Sequence, residues 1–152
     1  MLSVIEHFNK YPLRTQKQID FLLFTKAYYL ILNRSHLTDL QSLVNIRASM
    51  NKGLPERLAL EFPKTNPVII PEFISIQNKV FDMNYWIAGF VAGEGCFFVK
   101  TSQSKTHKLG LSLSLNFIVV QNIGDIGIME EIKTILDCGS ITINERSAIV
   151  RY

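Results

Sequence analysis

The stretch YWIAGFVAGEGCFFVK, residues 85–100, begins with the pattern of a buried helix and ends with that of a strand. Its helical part, residues 87–93, carries two glycines and two alanines. Glycine inside a helix costs roughly 1 kcal/mol relative to alanine, so two glycines require a structural reason. Close approach of a second helix is one such reason, and it would bring Glu94 near the end of that helix. The alternative is a tight core, with Glu94 solvated at the start of a strand.

Composition and charge limit the classes of protein to consider. The chain has 152 residues and a formal net charge of +3, which allows one good core or two incomplete ones. Residues 1–66 hold nine Lys or Arg and five Asp or Glu, whereas residues 67–152 hold seven and eight. This mild basic bias permits nucleic-acid binding but does not require it. Cys96 and Cys138 have no CxxC partner, so we expect free thiols in a reducing compartment.

Neither a signal peptide nor a transmembrane segment is expected. The N-terminal residues lack a basic start followed by an apolar run, because Glu6 and His7 interrupt the apolar residues. The most apolar segment, residues 21–32, is too short to span a bilayer and contains Lys26. We interpret this segment as part of a buried helix.

Residues 1–66 show the three- and four-residue spacing of apolar side chains that is typical of amphipathic helices. The spacing predicts one helix over residues 15–33 and a second over residues 37–51, with Thr38 as the N-cap of the second. The segment HFNKYPL, residues 7–13, predicts a turn into the first helix. A further short helical piece is expected before Pro63.

Residues 64–83 follow neither the helical nor the strand period and contain Pro67 and Pro71, which indicates a linker between two units. Beyond the linker, residues 109–121 alternate apolar and polar side chains, as in a strand of a half-covered sheet. Residues 125–139 carry one apolar stripe and predict a helix, and residues 140–152 predict a further hairpin. This arrangement does not close a complete α+β unit.

The segment IAGFVAGEG, with Trp86 before it and CFFV after it, resembles the signature of the LAGLIDADG homing endonucleases. The segments HFNKYPLRTQKQIDFLLFTKAYYLI, HLTDLQSLVNIRASMNKGLPERLALEFP and LDCGSI are also similar to segments of the single-chain, two-repeat members encoded in organellar introns. The resemblance implies an α+β fold, the αββαββα saddle, in which the signature helices of two repeats pack against each other. It covers nearly the whole chain.

The resemblance also implies a division of the chain. Residues 1–66 resemble the closing helices of a first repeat, residues 67–83 a linker, and residues 84–152 the opening helix, hairpin, helix and strand of a second repeat. The first signature helix, and the last strand and closing helices of the second repeat, have no counterpart in this sequence. We therefore expect an incomplete saddle, an internal fragment of a longer reading frame that needs its missing repeat halves in cis or in trans.

In this family each signature helix delivers one acid to a shared cleft that holds divalent metal above the scissile phosphates. Glu94 matches the acid position, so the resemblance implies that it is catalytic and binds Mg²⁺ or another divalent cation. Two carboxylates are needed, because ions held between them activate water and stabilise the leaving oxygen. With one acid, the isolated chain is expected to be inactive. The resemblance assigns the contact between the two helices to Ala88, Gly89, Ala92 and Gly93.

The same resemblance places the concave face of the sheet in the major groove of double-stranded DNA, where alternate side chains reach base edges. The residues expected to face the bases are Cys96, Phe98, Lys100, Ser102, Ser104, Ser112, Ser114, Asn116, Ile118, Val120, Ser140, Thr142 and Asn144. Phosphate contacts are expected from Lys105, Lys108 and Arg146. Without the resemblance, the short polar side chains would favour the plain wet face of an amphipathic sheet, an alternative that the residues alone leave open.

The function implied is that of an endonuclease that cleaves double-stranded DNA at specific sites for intron homing, by divalent-metal-dependent phosphodiester hydrolysis. One alternative is an RNA maturase, which would bind its host intron RNA and assist splicing without cutting. Another is a vestigial DNA-binding fragment without activity. The resemblance to intron-encoded frames implies a mitochondrial location, where a locally made protein needs no import signal, and no membrane partner is expected.

Overall fold

The computed structural model describes residues 1–70 and 82–152, and these belong to two compact units. Most of the predicted linker, residues 67–83, therefore lies outside the described residues. Within the described ranges, no helix is both long and apolar enough to cross a membrane.

The first unit consists of helices and the turns between them. The α-helices of residues 1–70 are α1 (Leu2–Lys10), α2 (Lys17–Leu32), α3 (Leu40–Ala48) and α4 (Glu56–Glu61), with a 3₁₀ turn at Ser35–Leu37. The buried side chains of these helices come from the first three and are Ile5, Phe21, Leu23, Val44 and Ile46. The long predicted helix and the short helical piece before Pro63 are thus confirmed as α2 and α4.

Two local predictions in this unit are wrong. The predicted N-cap Thr38 instead donates its hydroxyl to the carbonyl of Ser35 at 3.1 Å, and Asp39 caps α3 by accepting from the Ser42 amide at 3.1 Å. The Ser42 hydroxyl and amide hold the pKa of Asp39 below its usual range. Residues 7–10 belong to α1 and not to a turn, because Leu2, Ile5 and Phe8 recur at helical spacing and Ile5 is buried.

The second unit is α+β, as predicted. It contains α5 (Met83–Glu94), β1 (Gly95–Gln103), β2 (Leu111–Asn122), α6 (Ile126–Leu136), β3 (Thr142–Asn144) and β4 (Ile149–Arg151). The strands form one antiparallel sheet in the order β1-β2-β4-β3. The predicted helices, the long hairpin and the terminal hairpin are all confirmed, although α5 begins four residues earlier than residue 87, with Asp82 as its N-cap. The expectation that the last strand of this repeat is absent is wrong, because β3 and β4 complete a four-stranded sheet after α6.

Both helices of this unit lie on one face of the sheet. Their contact with it buries Ile87, Val119, Met129, Ile132, Val150 and Tyr152. Further along the hairpin the same face is uncovered, and Phe97 and Leu115 are 73% and 88% exposed. Since the helices occupy only this face, the opposite face of the sheet is free of them.

Candidate functional site

Helix α5 has one apolar side and one side made of small residues. Ile87 belongs to the core, and Trp86, Phe90 and Val91 pack against it. The predicted packing residues lie on the exposed surface of the helix and are Ala88, Gly89, Ala92 and Gly93. A Cβ added to Gly89 or Gly93 would meet no atom of the described residues within 4 Å. The glycines are therefore not needed for packing within this unit, which excludes the tight-core explanation.

Glu94 is the last residue of α5, and β1 begins directly after it. The Gly95 amide donates to the carbonyl of Val91, and the backbone at Gly95 is already extended, with φ −85° and ψ 147°. A Cβ at residue 95 would lie 2.6 Å from both Cγ1 and the carbonyl oxygen of Val91. Glycine is thus required for the abrupt change from helix to strand, and this change fixes the backbone of Glu94 at the junction.

The Glu94 side chain is exposed, and its carboxylate has no hydrogen-bond or ion-pair partner in the part of the chain that the structure describes. Residues 1–70 and 82–152 contain no group of three or more His, Cys, Asp or Glu side chains that could hold a metal ion. Carboxylate oxygen is a suitable ligand for Mg²⁺ and Ca²⁺, but one carboxylate does not make a site. These residues therefore fit one half of a two-acid metal site and do not complete it.

Strand register shows which side chains share the face opposite the helices. Directly opposed residues of an antiparallel pair point to the same side, and Cys96 is opposed to Ile118, Lys100 to Ser114, and Val120 to Arg151. We call this surface the polar face. Its residues are Cys96, Phe98, Lys100, Ser102, Ser112, Ser114, Asn116, Ile118, Val120, Asn122, Thr142, Asn144, Ile149 and Arg151.

The polar face brings together most of the residues predicted to face bases. On it, the Asn116 amide donates through Nδ2 to the carbonyl and the hydroxyl of Ser114, at 3.1 Å each. This leaves the Asn116 carbonyl oxygen as a free acceptor on the surface. Lys100 and Arg151 are charged, and no residue of the polar face is acidic. Its electrostatic character therefore suits a polyanion.

Five of the predicted DNA contacts lie outside the strands. Ser104 follows β1, and its hydroxyl is hydrogen-bonded to Nδ1 of His107 at 2.7 Å. Lys105 and Lys108 lie in the turn between β1 and β2, Ser140 precedes β3, and Arg146 lies in the turn Glu145–Ser147. The prediction that Ser104 and Ser140 lie on strands is wrong. The pairing of β1 with β2 ends at Gln103, and the pairing of β3 with β4 begins at Thr142.

Arg151, Ile149 and Asn122 share the polar face but were missed by sequence reasoning. The predicted set of alternate residues ended at Val120 on β2, one alternate position before Asn122, and included no residue of the short strand β4. The alternation of residues 149–152, with Val150 and Tyr152 buried and Arg151 exposed, is the signal that could have found Arg151.

The chain is similar to known nucleases along nearly its whole length. The family described as LAGLIDADG endonuclease matches residues 1–28 and 87–152. Among curated relatives, probable intron-encoded endonuclease 3 of Neurospora crassa is 42% identical over 141 residues, which make up 91% of this chain and 26% of that protein.

Solved structures give the same result. The I-SmaMI LAGLIDADG homing endonuclease bound to cleaved DNA superposes with a TM-score of 0.88 and 36% identity, over 98% of this chain and 49% of that one. I-SmaMI bound to an uncleaved DNA target in the presence of calcium ions gives a TM-score of 0.87 and 37% identity, over 98% and 50%. The chain thus spans about half the length of these structures and about a quarter of the Neurospora relative.

Proposed function

Because this chain belongs to the LAGLIDADG endonuclease family, we propose that it acts in site-specific cleavage of double-stranded DNA by divalent-metal-dependent phosphodiester hydrolysis. The observation that supports this most directly is the position of Glu94. Its carboxylate lies at the junction of α5 and β1, where the small-residue side of α5 meets the sheet that carries the polar face. One side chain is therefore close both to a surface for a second helix and to a surface for DNA.

The local electrostatics favour a cation beside Glu94. The C-terminal end of a helix carries partial negative charge, which repels the negative carboxylate of Glu94 at the end of α5. A divalent ion would reduce this repulsion, and when bound between two carboxylates it would supply activated water and stabilise the leaving oxygen. The role of Glu94 is to hold one side of the ion at a fixed backbone position.

The second carboxylate would come from another repeat. The exposed surface at Gly89 and Gly93 allows a second helix to approach backbone to backbone, and Glu94 lies one residue beyond this surface. Two such helices would bring their terminal acids together. We therefore propose that the chain alone does not cleave DNA and that a second signature helix is required, in cis or in trans.

The polar face would lie in the major groove, with Lys105, Lys108 and Arg146 on the phosphates at its margins. Its two cations, its lack of acids and its short Ser, Thr and Asn side chains support this assignment. We further propose that the protein acts in the mitochondrion of a fungus, a proposal supported by the intron-encoded Neurospora relative. Recovery of its reading frame from purified mitochondrial DNA would test the location.

Cleavage by a complete pair of repeats tests the function. This chain, fused to the parts of both repeats that it lacks, taken from a related endonuclease, should cut a target plasmid with Mg²⁺, whereas the chain alone should not. In the fusion, Glu94→Gln should abolish cleavage but retain DNA binding in a gel shift, because the amide keeps the size of the side chain and removes its charge.

The matched control is Glu130→Gln, the same exchange at an exposed position of α6. It should leave both cleavage and binding unchanged. Full cleavage by the Glu94→Gln fusion would exclude Glu94 as a metal ligand. Loss of DNA binding together with cleavage would show that Glu94 acts in assembly and not in holding the ion.

A further inference from the structure

Arg151 occupies a central position on the polar face. It lies on β4, between β2 and β3 in the sheet, where it is opposed to Val120 on one side and Thr142 on the other. The other basic groups assigned to DNA are at the margins: Lys100 is on the edge strand β1, and Lys105 and Lys108 are in the turn that follows it.

The guanidinium of Arg151 is available to a ligand. The side chain is exposed, and it has no hydrogen-bond or ion-pair partner within residues 1–70 and 82–152. Together with Thr142, Asn144 and Ser147 it lines a shallow cavity of about 180 Å³. The two residues directly opposed to it, Val120 and Thr142, have short side chains.

The register also places Arg151 near the proposed catalytic acid. Gly95 is opposed to Val119, and Arg151 is opposed to Val120, the next residue of β2. Gly95 and Arg151 are therefore two strands apart and offset by one residue, and Glu94 directly precedes Gly95 at the end of α5. Neighbouring strands are about 4.8 Å apart, so the backbones of Gly95 and Arg151 are separated by roughly 10 Å. A ligand bound at Arg151 would thus lie beside the cleavage centre and not at the outer end of the site.

We propose that Arg151 reads a guanine in a base pair close to the scissile phosphates, an inference that rests on the proposed function. Arginine presents a planar fork of N–H donors, and guanine presents the acceptors O6 and N7 side by side in the major groove. Lysine donates to the same acceptors from a single nitrogen, without the fixed planar fork of arginine. The central position on β4 directs Arg151 to base edges, whereas the turn lysines are placed for the backbone of the duplex.

Selection from a random duplex DNA library tests the inference with the chain as it exists. The wild-type chain should enrich sequences that share a guanine at one position, and Arg151→Gln should lower the preference for that guanine about tenfold or more. Arg151→Lys should keep part of the preference. In the matched control, Lys105→Gln should weaken binding to all sequences equally and leave the base preferences unchanged.

The outcomes separate this inference from the proposed function. If Arg151→Gln retains the guanine preference, or weakens binding to every sequence alike, Arg151 does not read a base, and the inference is overturned while DNA recognition stands. If the wild-type chain selects no sequence from the library, site-specific recognition by the polar face fails, and the role of Arg151 fails with it. Circular dichroism and thermal unfolding of each variant verify that the exposed substitutions leave the fold intact.

Discussion

Gly95 and Val91 approach each other so closely that no side chain fits between them. A Cβ at residue 95 would lie 2.6 Å from the Cγ1 atom of Val91 and 2.6 Å from its carbonyl oxygen. This contact sets the point at which α5 ends and β1 begins, and it therefore positions Glu94 relative to the sheet. The two glycines further back in the same helix, Gly89 and Gly93, have open space around them.

This difference predicts opposite effects of alanine at Gly95, the first residue of β1, and at Gly89 within α5. Gly95→Ala should lower the free energy of unfolding by about 1–3 kcal/mol, since the added methyl group overlaps with the backbone of Val91. Gly89→Ala should raise it by up to about 1 kcal/mol, because alanine favours the helix and its methyl group meets no atom. Urea unfolding of both variants measures the two values. Equal effects of the two substitutions would contradict the packing described for Gly95.

A second prediction concerns the partner helix. Gly93→Leu should abolish association with a supplied signature-helix repeat, because the side chain would hold the two backbones apart at the small-residue side of α5. The matched control is Gly127→Leu in α6, where an added Cβ also meets nothing within 4 Å. In a co-purification experiment, the supplied repeat should be recovered with the Gly127→Leu variant and not with the Gly93→Leu variant. Undiminished association of Gly93→Leu would remove the explanation offered for the glycines of α5.

DNA binding should depend on salt through the turn between β1 and β2. If Lys105 and Lys108 contact phosphates, their joint replacement by Gln should reduce the slope of log K against log salt by about 1 to 2, because fewer counterions are released. Fluorescence anisotropy of a labelled duplex at several salt concentrations gives the slope. Lys133→Gln, an exposed change on α6, is the control and should leave the slope unchanged.

Stability of the second unit should fall at high pH through Tyr152. Burial, with smaller contributions from Cys138, raises the pKa of Tyr152 from 10.0 to about 12. The folded protein therefore keeps the phenol proton at pH values where the unfolded chain has lost it. The stabilisation is complete below pH 10 and is lost as the pH rises from about 10 to about 12.

The comparison variant for this prediction is Tyr152→Phe. It lacks the ionisable hydroxyl and also the hydrogen bond that this group donates to the carbonyl of Cys138 at 3.0 Å. Below pH 10 it should be less stable than the wild type, and the difference should shrink as the pH approaches 12. Urea unfolding at several pH values measures both curves. A constant difference across this range would show that Tyr152 does not ionise with the shifted pKa.

The sequence by itself determined the elements whose signal is local. Residues 17–32 repeat apolar side chains at helical spacing, and residues 111–121 alternate them, so a helix and a half-covered strand could be assigned before any contact was known. The two glycines in α5 were equally visible, since they contradict helix propensity. The assignment of Glu94 as the catalytic acid stays a prediction that rests on the signature carried by its neighbours, and the repeat assignment of residues 1–66 and 84–152 rests on the same resemblance.

Only the tertiary structure decided which side chains share a surface. Alternation along one strand shows which of its own side chains share a face. The register between strands depends on turns and packing, so the sequence did not place Arg151 on the polar face. The pairing of β4 with β2 places it there. The need for glycine at residue 95 likewise depends on the contact with Val91, a distance that no pattern of residue types contains.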